Sequence, residues 1–320
     1  MLPFAPVISP WLAAVSCVLI TVLLIGSFFL FPLPKVASED SKQPRLDRDH
    51  PLVIYRRFKG ILLTSILVPL YLWCLLNWSG ALPNTLTFPT RLGLFLKLVG
   101  LSVPMNAIQL LGHLVVPLSL VGILFMGPLL MMFIDQSLPF QSRFSWSAQW
   151  SSLTELVGVR NFIVGPVAEE FIFRGCLVAL VSQSGATLRS MVFGLPFVFG
   201  IAHLHHGYES FIKKGRTRQA FIQSTVVALA QLTYTTLFGW FVTFLFLRTS
   251  SLLGPCLCHS FCNMMGFPDV GSIQYYGPWK KWLYLCLGLG MALFGVLLGP
   301  LTDPGIYGDQ YSSVYWPLVR

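Results

Sequence analysis

Charged side chains are scarce in this chain: Asp, Glu, Lys and Arg make up 10% of its 320 residues, where soluble domains carry about a quarter. So thin a supply cannot keep a protein surface hydrated, which excludes an ordinary soluble fold. Sustained alternation of apolar and polar residues is also missing, and that excludes a membrane β-barrel. There is no H-E-x-x-H, the pattern that puts two zinc ligands on one helix face. Cysteine is limited to Cys17, Cys74, Cys176, Cys256, Cys258, Cys262 and Cys286. An odd number, all within apolar segments, argues against a disulfide framework. Cys256, Cys258 and Cys262 cluster around His259, and buried packing is the better reading of these small side chains.

What fills the chain instead is apolar. Hydrophobic residues account for 55%, with 26 Phe and nine Trp, and the mean hydropathy is +0.71. These values predict an all-α, polytopic membrane bundle with aromatic belts at the interfaces. The net charge of +9 is confined to a few places. Lys35, Lys42, Arg45, Arg48, Arg56, Arg57 and Lys59 crowd one stretch, and Lys213, Lys214, Arg216 and Arg218 another. That is the pattern of cytoplasmic loops, with attraction to anionic headgroups as a secondary effect. Neither run carries the interleaved aromatics of a nucleic-acid surface, so no nucleic-acid partner is expected.

A crossing needs about 20 apolar residues. That length gives about eight transmembrane helices, near 11–32, 60–78, 114–134, 162–182, 190–206, 220–247, 251–267 and 281–301. The first has no Lys or Arg before it and a basic stretch after it. It reads as an anchor with its amino end outside rather than a cleavable signal. Segment 92–112 is interrupted by Lys97, Pro104, Asn106 and Gln109 and reads as interfacial or re-entrant. The stretches 33–59, 135–161, 207–219 and 268–280 then all face the cytoplasm. Within 135–161, Trp146, Trp150, Leu153 and Leu156 suggest a surface helix. The chain forms one integral membrane domain in three regions: 1–113 with the amino-terminal spans and basic stretch, 114–276 as the core, and 277–320 as the last span and tail.

Ionisable residues inside spans mark function by default. Segment 162–182 carries Glu169, Glu170 and Arg174; 190–206 carries His203; 251–267 carries His259 and Asn263. By the expected topology all lie at one depth near the cytoplasmic face, although none was used to find the spans. Glu170 and Arg174 are four apart, on one helix face, and can pair. Glu169 lies about a quarter-turn away and can face a cavity. His259 and Asn263 share a face, as do Phe199 and His203.

A carboxylate and an imidazole aimed at one cavity can hold a water and take its proton as it attacks a carbonyl. Imidazole and amide N–H groups can then stabilise the oxyanion. The reaction class is amide hydrolysis, with Glu169 and His203 on the water and His259 and Asn263 as the oxyanion hole, in a cavity open to the cytoplasm. Three alternatives use overlapping residues. Glu169, His203 and His259 could form a zinc set; Cys262 could act as a nucleophile; or the groups could serve proton-coupled transport or a non-catalytic role on the same fold. Transporters show repeated halves and midplane polar groups, whereas here the groups gather at one face.

The motifs "EEFIFR" (Glu169 to Arg174), "FGIAH" (Phe199 to His203) and "HSFCN" (His259 to Asn263) resemble, in order, E-E-x-x-x-R, F-x-x-x-H and H-x-x-x-N of the type II CAAX prenyl endopeptidases, the Ras-converting enzymes. They are glutamate intramembrane proteases within the wider CAAX protease and abortive-infection family. The resemblance covers residues 114–276 and departs at no motif position. It implies a multi-pass endoplasmic reticulum protease with its active site facing the cytoplasm. Its substrates would be prenylated CAAX proteins such as Ras-like small GTPases, from which it would remove the C-terminal aaX tripeptide. It implies Glu169, His203, His259 and Asn263 as catalytic, Glu170 and Arg174 as supporting, and no metal or other cofactor. A prenyl chain lies in the bilayer while its peptide tail is in water, so such a cavity would meet both. Phe199 and the aromatic 190–206 helix are candidates to line the lipid's entry, with ordinary lipid-facing packing as the alternative.

Overall fold

The computed structural model describes residues 6–33, 46–102, 106–202, 204–307 and 313–316, with only the backbone at 202 and 204–206. All regular structure among them is helical. In chain order the α-helices are α1 (Pro10–Leu30), α2 (Pro51–Trp78), α3 (Phe88–Leu98), α4 (Ala107–Leu124), α5 (Met126–Ile134), α6 (Trp146–Thr154), α7 (Leu156–Gly158), α8 (Gly165–Glu170), α9 (Leu177–Ser182), α10 (Leu188–Ala202), α11 (Leu204–Lys213), α12 (Arg218–Thr249), α13 (Leu253–Met265) and α14 (Lys280–Leu301). Between α7 and α8, and again between α8 and α9, the chain makes π turns over Val159–Val164 and Phe171–Cys176.

Local chemistry sets the helix starts. Ser9 caps α1 by accepting from the Leu12 N–H, and Pro10 begins the first turn, where its missing N–H is not needed. His50 caps α2 through Nδ1 ahead of Pro51. That start lies well before residue 60, so Arg56, Arg57 and Lys59 belong to a helix rather than a loop. The two arginines lay their guanidinium groups 5.5 and 5.7 Å from the rings of Phe29 and Phe28 at the end of α1. Their stems cover apolar surface while the charge stays near water, which is how the helix tolerates them.

Five helical segments are long and apolar enough to cross a membrane: Pro10–Leu30, Pro51–Trp78, Ala107–Leu124, Arg218–Thr249 and Gly277–Leu301. Their outward faces carry large apolar side chains such as Val18, Leu19, Leu62, Val226 and Val296, which need lipid around them. The remaining expected crossings are built differently. Segment 162–182 alternates α and π turns, while α10 and α13 are 15 and 13 residues long. Segment 92–112 is not one helix. After α3, Gly100 takes φ +75°, a left-handed conformation only glycine adopts without strain. Its carbonyl accepts from the Leu252 N–H at 3.0 Å. The surface helix expected around Trp146 is α6, and it buries none of its residues.

The chain divides into two compact units. One comprises Met1–Ser102, Ala168–Leu252 and Ser313–Arg320. Here α1 packs on α2, and α10 on α12. Ser16 and Tyr71 share a 2.6 Å hydrogen bond. Leu72, Leu76, Leu177, Leu245 and Phe246 fill the interior. The tail closes this unit: Tyr315 is fully buried against Phe246 and donates its hydroxyl to the Leu98 carbonyl. Ser313 shares a 2.9 Å hydrogen bond with Ser250, the left-handed residue that ends α12.

The other unit comprises Val103–Val167 and Leu253–Ser312. Here α4 and α5 pack on α14, and α13 packs on α4. His113 is buried and stacked 4.7 Å from Tyr307. A Cβ on Gly290 would stand 2.6 Å from the Ile123 carbonyl oxygen, whereas one on Gly295 would meet nothing within 4 Å. Backbone cannot yield cheaply, so Gly290→Ala is expected to cost about 1–3 kcal/mol. In detergent its thermal unfolding temperature falls while Gly295→Ala does not destabilise; equal midpoints for both would mean that α4 and α14 do not pack this closely.

Candidate active site

In the first unit the site is built around one ion pair. Arg174 donates from Nη1 to Glu170 Oε1 at 3.0 Å, and the two side chains are 1% and 0% exposed. The spacing of four expected to pair them does so even though the chain widens into π turns directly after Glu170. Such widened turns recur at functional sites, because the extra residue redirects side chains that a regular helix would aim elsewhere. The Arg174 guanidinium also lies 4.5 Å from the centre of the Phe199 ring. Phe199 is 2% exposed and meets Phe173 edge-on at 4.9 Å. It is therefore an internal platform under a cation, not a lipid-facing ring or the lining of a lipid route. On the opposing helix α12, a Cβ at Gly239 would come within 3.2 Å of Arg174 Nη2 and 2.6 Å of Pro196 Cβ. Glycine there makes room for the guanidinium. Arg174 thus touches α10 and α12 as well as its own segment.

Glu169 is half-buried, unlike its neighbour. Tyr234, partway along α12 and exposed, lies within electrostatic reach of the Glu169 carboxylate. His203 lies outside the described residues. The turn before it is fixed by Gly200, where a Cβ would meet Leu232 and Thr236 of α12 at 2.6 and 2.9 Å.

In the second unit, α13 carries His259, 8% exposed, and Asn263, exposed, one turn apart on one face. Cys258 points the other way, its Sγ 3.5 Å from the Pro117 carbonyl. Phe261 meets Phe125 edge-on at 5.6 Å. Asn263 Nδ2 donates to the Asn161 carbonyl at 2.8 Å, which fixes the amide and leaves its second N–H directed by that bond. Asn161 sits in the first π turn and accepts from Arg160 Nε at 2.9 Å, with Arg160 93% buried (7% exposed). Cys262 is half-buried.

Sequence reasoning passed over Arg160, Asn161 and Tyr234. The signal for Arg160 was present: an ionisable residue at the start of a span is as expensive as Glu169. Tyr234 sits in "QLTYTT", residues 231–236, a polar run inside an otherwise apolar helix.

Each partner of the buried pair depends on the other. Glu170→Ala or Arg174→Ala leaves one uncompensated charge and is expected to cost about 3–5 kcal/mol, seen as lower protein yield and a lower unfolding temperature. Replacing both together, Glu170→Leu with Arg174→Met, recovers part of the loss. Single variants as stable as the parent would overturn the pair's structural role.

Comparison with known proteins gives a consistent result. The family described as type II CAAX prenyl endopeptidase Rce1-like matches residues 151–265. CAAX prenyl protease 2 of Homo sapiens is 34% identical over 310 residues, covering 93% of this chain and 84% of the relative. The protein of that name from Rattus norvegicus is 32% identical, with 93% and 82% covered. The probable CAAX prenyl protease 2 of Schizosaccharomyces pombe is 30% identical, with 88% and 91% covered. No solved structure matches the chain significantly.

Proposed function

The chain belongs to the type II CAAX prenyl endopeptidases, and on that premise we propose that Glu169 and His203 activate the hydrolytic water while His259 and Asn263 stabilise the oxyanion. The protein is a multi-pass membrane endopeptidase that removes the aaX tripeptide from prenylated CAAX proteins. Ras-like small GTPases are the proposed substrates. The proposed location is the endoplasmic reticulum, with the site open to the cytoplasm, where such substrates are found.

One observation carries the assignment of the base. The motif offers two adjacent carboxylates, and Glu170 is committed, fully buried, to Arg174. Glu169 is the half-buried one, placed on a segment whose depth and rotation that pair holds. A water between Glu169 and His203 gives its proton to the carboxylate as its oxygen bonds to the scissile carbonyl carbon. The carbonyl oxygen becomes an oxyanion that accepts hydrogen bonds from His259 and Asn263. When the intermediate collapses, the C–N bond breaks and the proton held by Glu169 passes to the departing amine of the tripeptide. Asn263 suits its part because its amide is already oriented by Asn161, so little reorganisation accompanies charge development.

Glu169→Ala and His203→Ala are each expected to abolish release of a tripeptide from a farnesylated peptide by membranes containing the protein, at unchanged protein level. Cleavage retained by either variant removes that residue from the mechanism. For orientation, a glycosylation acceptor placed in residues 136–145 is expected to stay unmodified, and one placed ahead of α1 to be modified; the opposite pattern inverts the topology.

A further inference from the structure

The stretch joining α5 to α7 is too apolar for water and too exposed for a core. From Gln136 to Thr154 it holds one charged residue, Arg143, where soluble domains carry about a quarter. Yet α6 buries none of its residues, and Phe140, Trp146 and Trp150 are 92%, 60% and 70% exposed. Trp146 and Trp150 are four apart and share a helix face, with Leu153 one turn further along it. Phe140 and Phe144 meet the Trp146 ring edge-on at 5.6 and 4.8 Å, so loop and helix present one aromatic surface. Phe140 takes part in it with φ at +69°, a left-handed conformation that strains a bulky residue. The ring stays outside in spite of that cost.

Hydrogen bonds fix the height of this surface. At its start, Tyr276 donates its hydroxyl to Asp135 Oδ2 at 2.6 Å, and Tyr276 immediately precedes the segment Gly277–Leu301, long and apolar enough to cross a membrane. That segment opens with Trp279, Lys280, Lys281 and Trp282, all exposed, residue types that settle at a bilayer interface. The end of α5, where Asp135 stands, therefore lies level with that boundary. Gln141 ties the loop back onto it: Nε2 donates to the Phe133 carbonyl at 3.1 Å, and Oε1 accepts from the Leu138 N–H at 2.8 Å. The Arg143 N–H donates to the Gln136 carbonyl at 2.9 Å. Bonds this close keep the aromatic cluster from standing off into water. At the other end α6 is pressed onto α7, for a Cβ on Gly158 would lie 1.8 Å from the Ser152 carbonyl oxygen. Held at its start by α5 and at its end by α7, α6 lies along the interface rather than projecting from it.

We propose that residues 140–153 are a phospholipid-binding surface, seated in the headgroup layer with Phe140, Trp146 and Trp150 against the upper acyl chains and Arg143 among the phosphates. Continuity decides the occupant: the surface extends the aromatic rim of a span that lipid surrounds. Indole rings favour that layer, and an exposed guanidinium is drawn to the phosphates there. The proposal goes beyond the assignment of the catalytic groups and does not depend on it.

For the test, the full-length protein is placed in phosphatidylcholine vesicles, and the tryptophan emission of the double variant Trp146→Phe, Trp150→Phe is subtracted from that of the parent. The difference isolates two of the nine indoles. In vesicles whose acyl chains carry bromine near the headgroup end, it is expected to lose about half its intensity or more. Bromine near the methyl end quenches it less, and aqueous acrylamide quenches it least. Trp150→Phe alone, which leaves the ring cluster intact, gives the same order. A difference signal that acrylamide quenches and bromine does not overturns the proposal, since the surface then faces water and suits a protein partner. Stronger quenching from the methyl end overturns it too, by placing the rings in the bilayer's interior. Neither substitution touches a buried residue, so the unfolding temperature in detergent is expected to stay at the parent value. A fall of several degrees would mean that α6 packs as a core helix, and overturns its reading as a lipid-facing surface.

Discussion

A full negative charge and a full positive charge, both shut away from water, hold the segment from Gly165 to Ser182 in place. Desolvating either Glu170 or Arg174 alone would be prohibitive in so apolar a protein, so each is tolerable only while the other is 3.0 Å away. The arginine then reaches further, over the Phe199 ring and into the space left by Gly239. Three helices that lipid could otherwise let slide are fixed by one guanidinium. Lipid supplies no hydrophobic drive for helices to associate, and packing of small residues with polar contacts takes its place.

The pair also divides labour between neighbouring glutamates. Two carboxylates in sequence look redundant, yet one is spent on architecture and the other stands half-buried. A general base needs such an intermediate setting: enough apolar surrounding to favour accepting a proton, enough access to meet water. The substrate imposes the same division on a larger scale, since its prenyl chain belongs in hydrocarbon and its peptide end in water.

Some of this was legible from residue order. Helix spacing alone paired Glu170 with Arg174 and put His259 and Asn263 on one face, because both inferences need only the period of a helix. The membrane bundle followed from composition. The π turns at Val159–Val164 and Phe171–Cys176 were not legible, because a widened turn leaves no mark in hydropathy. Without it, nothing connected Asn161 to Asn263, residues 102 apart. Phe199 was misjudged for a related reason. An aromatic residue in an apolar span reads as lipid-facing until its rotation is known, and that rotation is set by Arg174 on another segment. The early start of α2 was missed because arginines in a helix read as loop unless the rings that shelter them, Phe28 and Phe29, are known to be adjacent.

The tail at residues 313–316 has a consequence for biosynthesis. Tyr315 and Ser313 complete the interior that α3 and α12 leave unfinished, yet they emerge from the ribosome only after the whole second unit has been made. Until then the end of α12 keeps an exposed hollow where the tyrosine ring belongs. Insertion into the bilayer can proceed helix by helix during translation, but sealing of the first unit waits until the second has been synthesised.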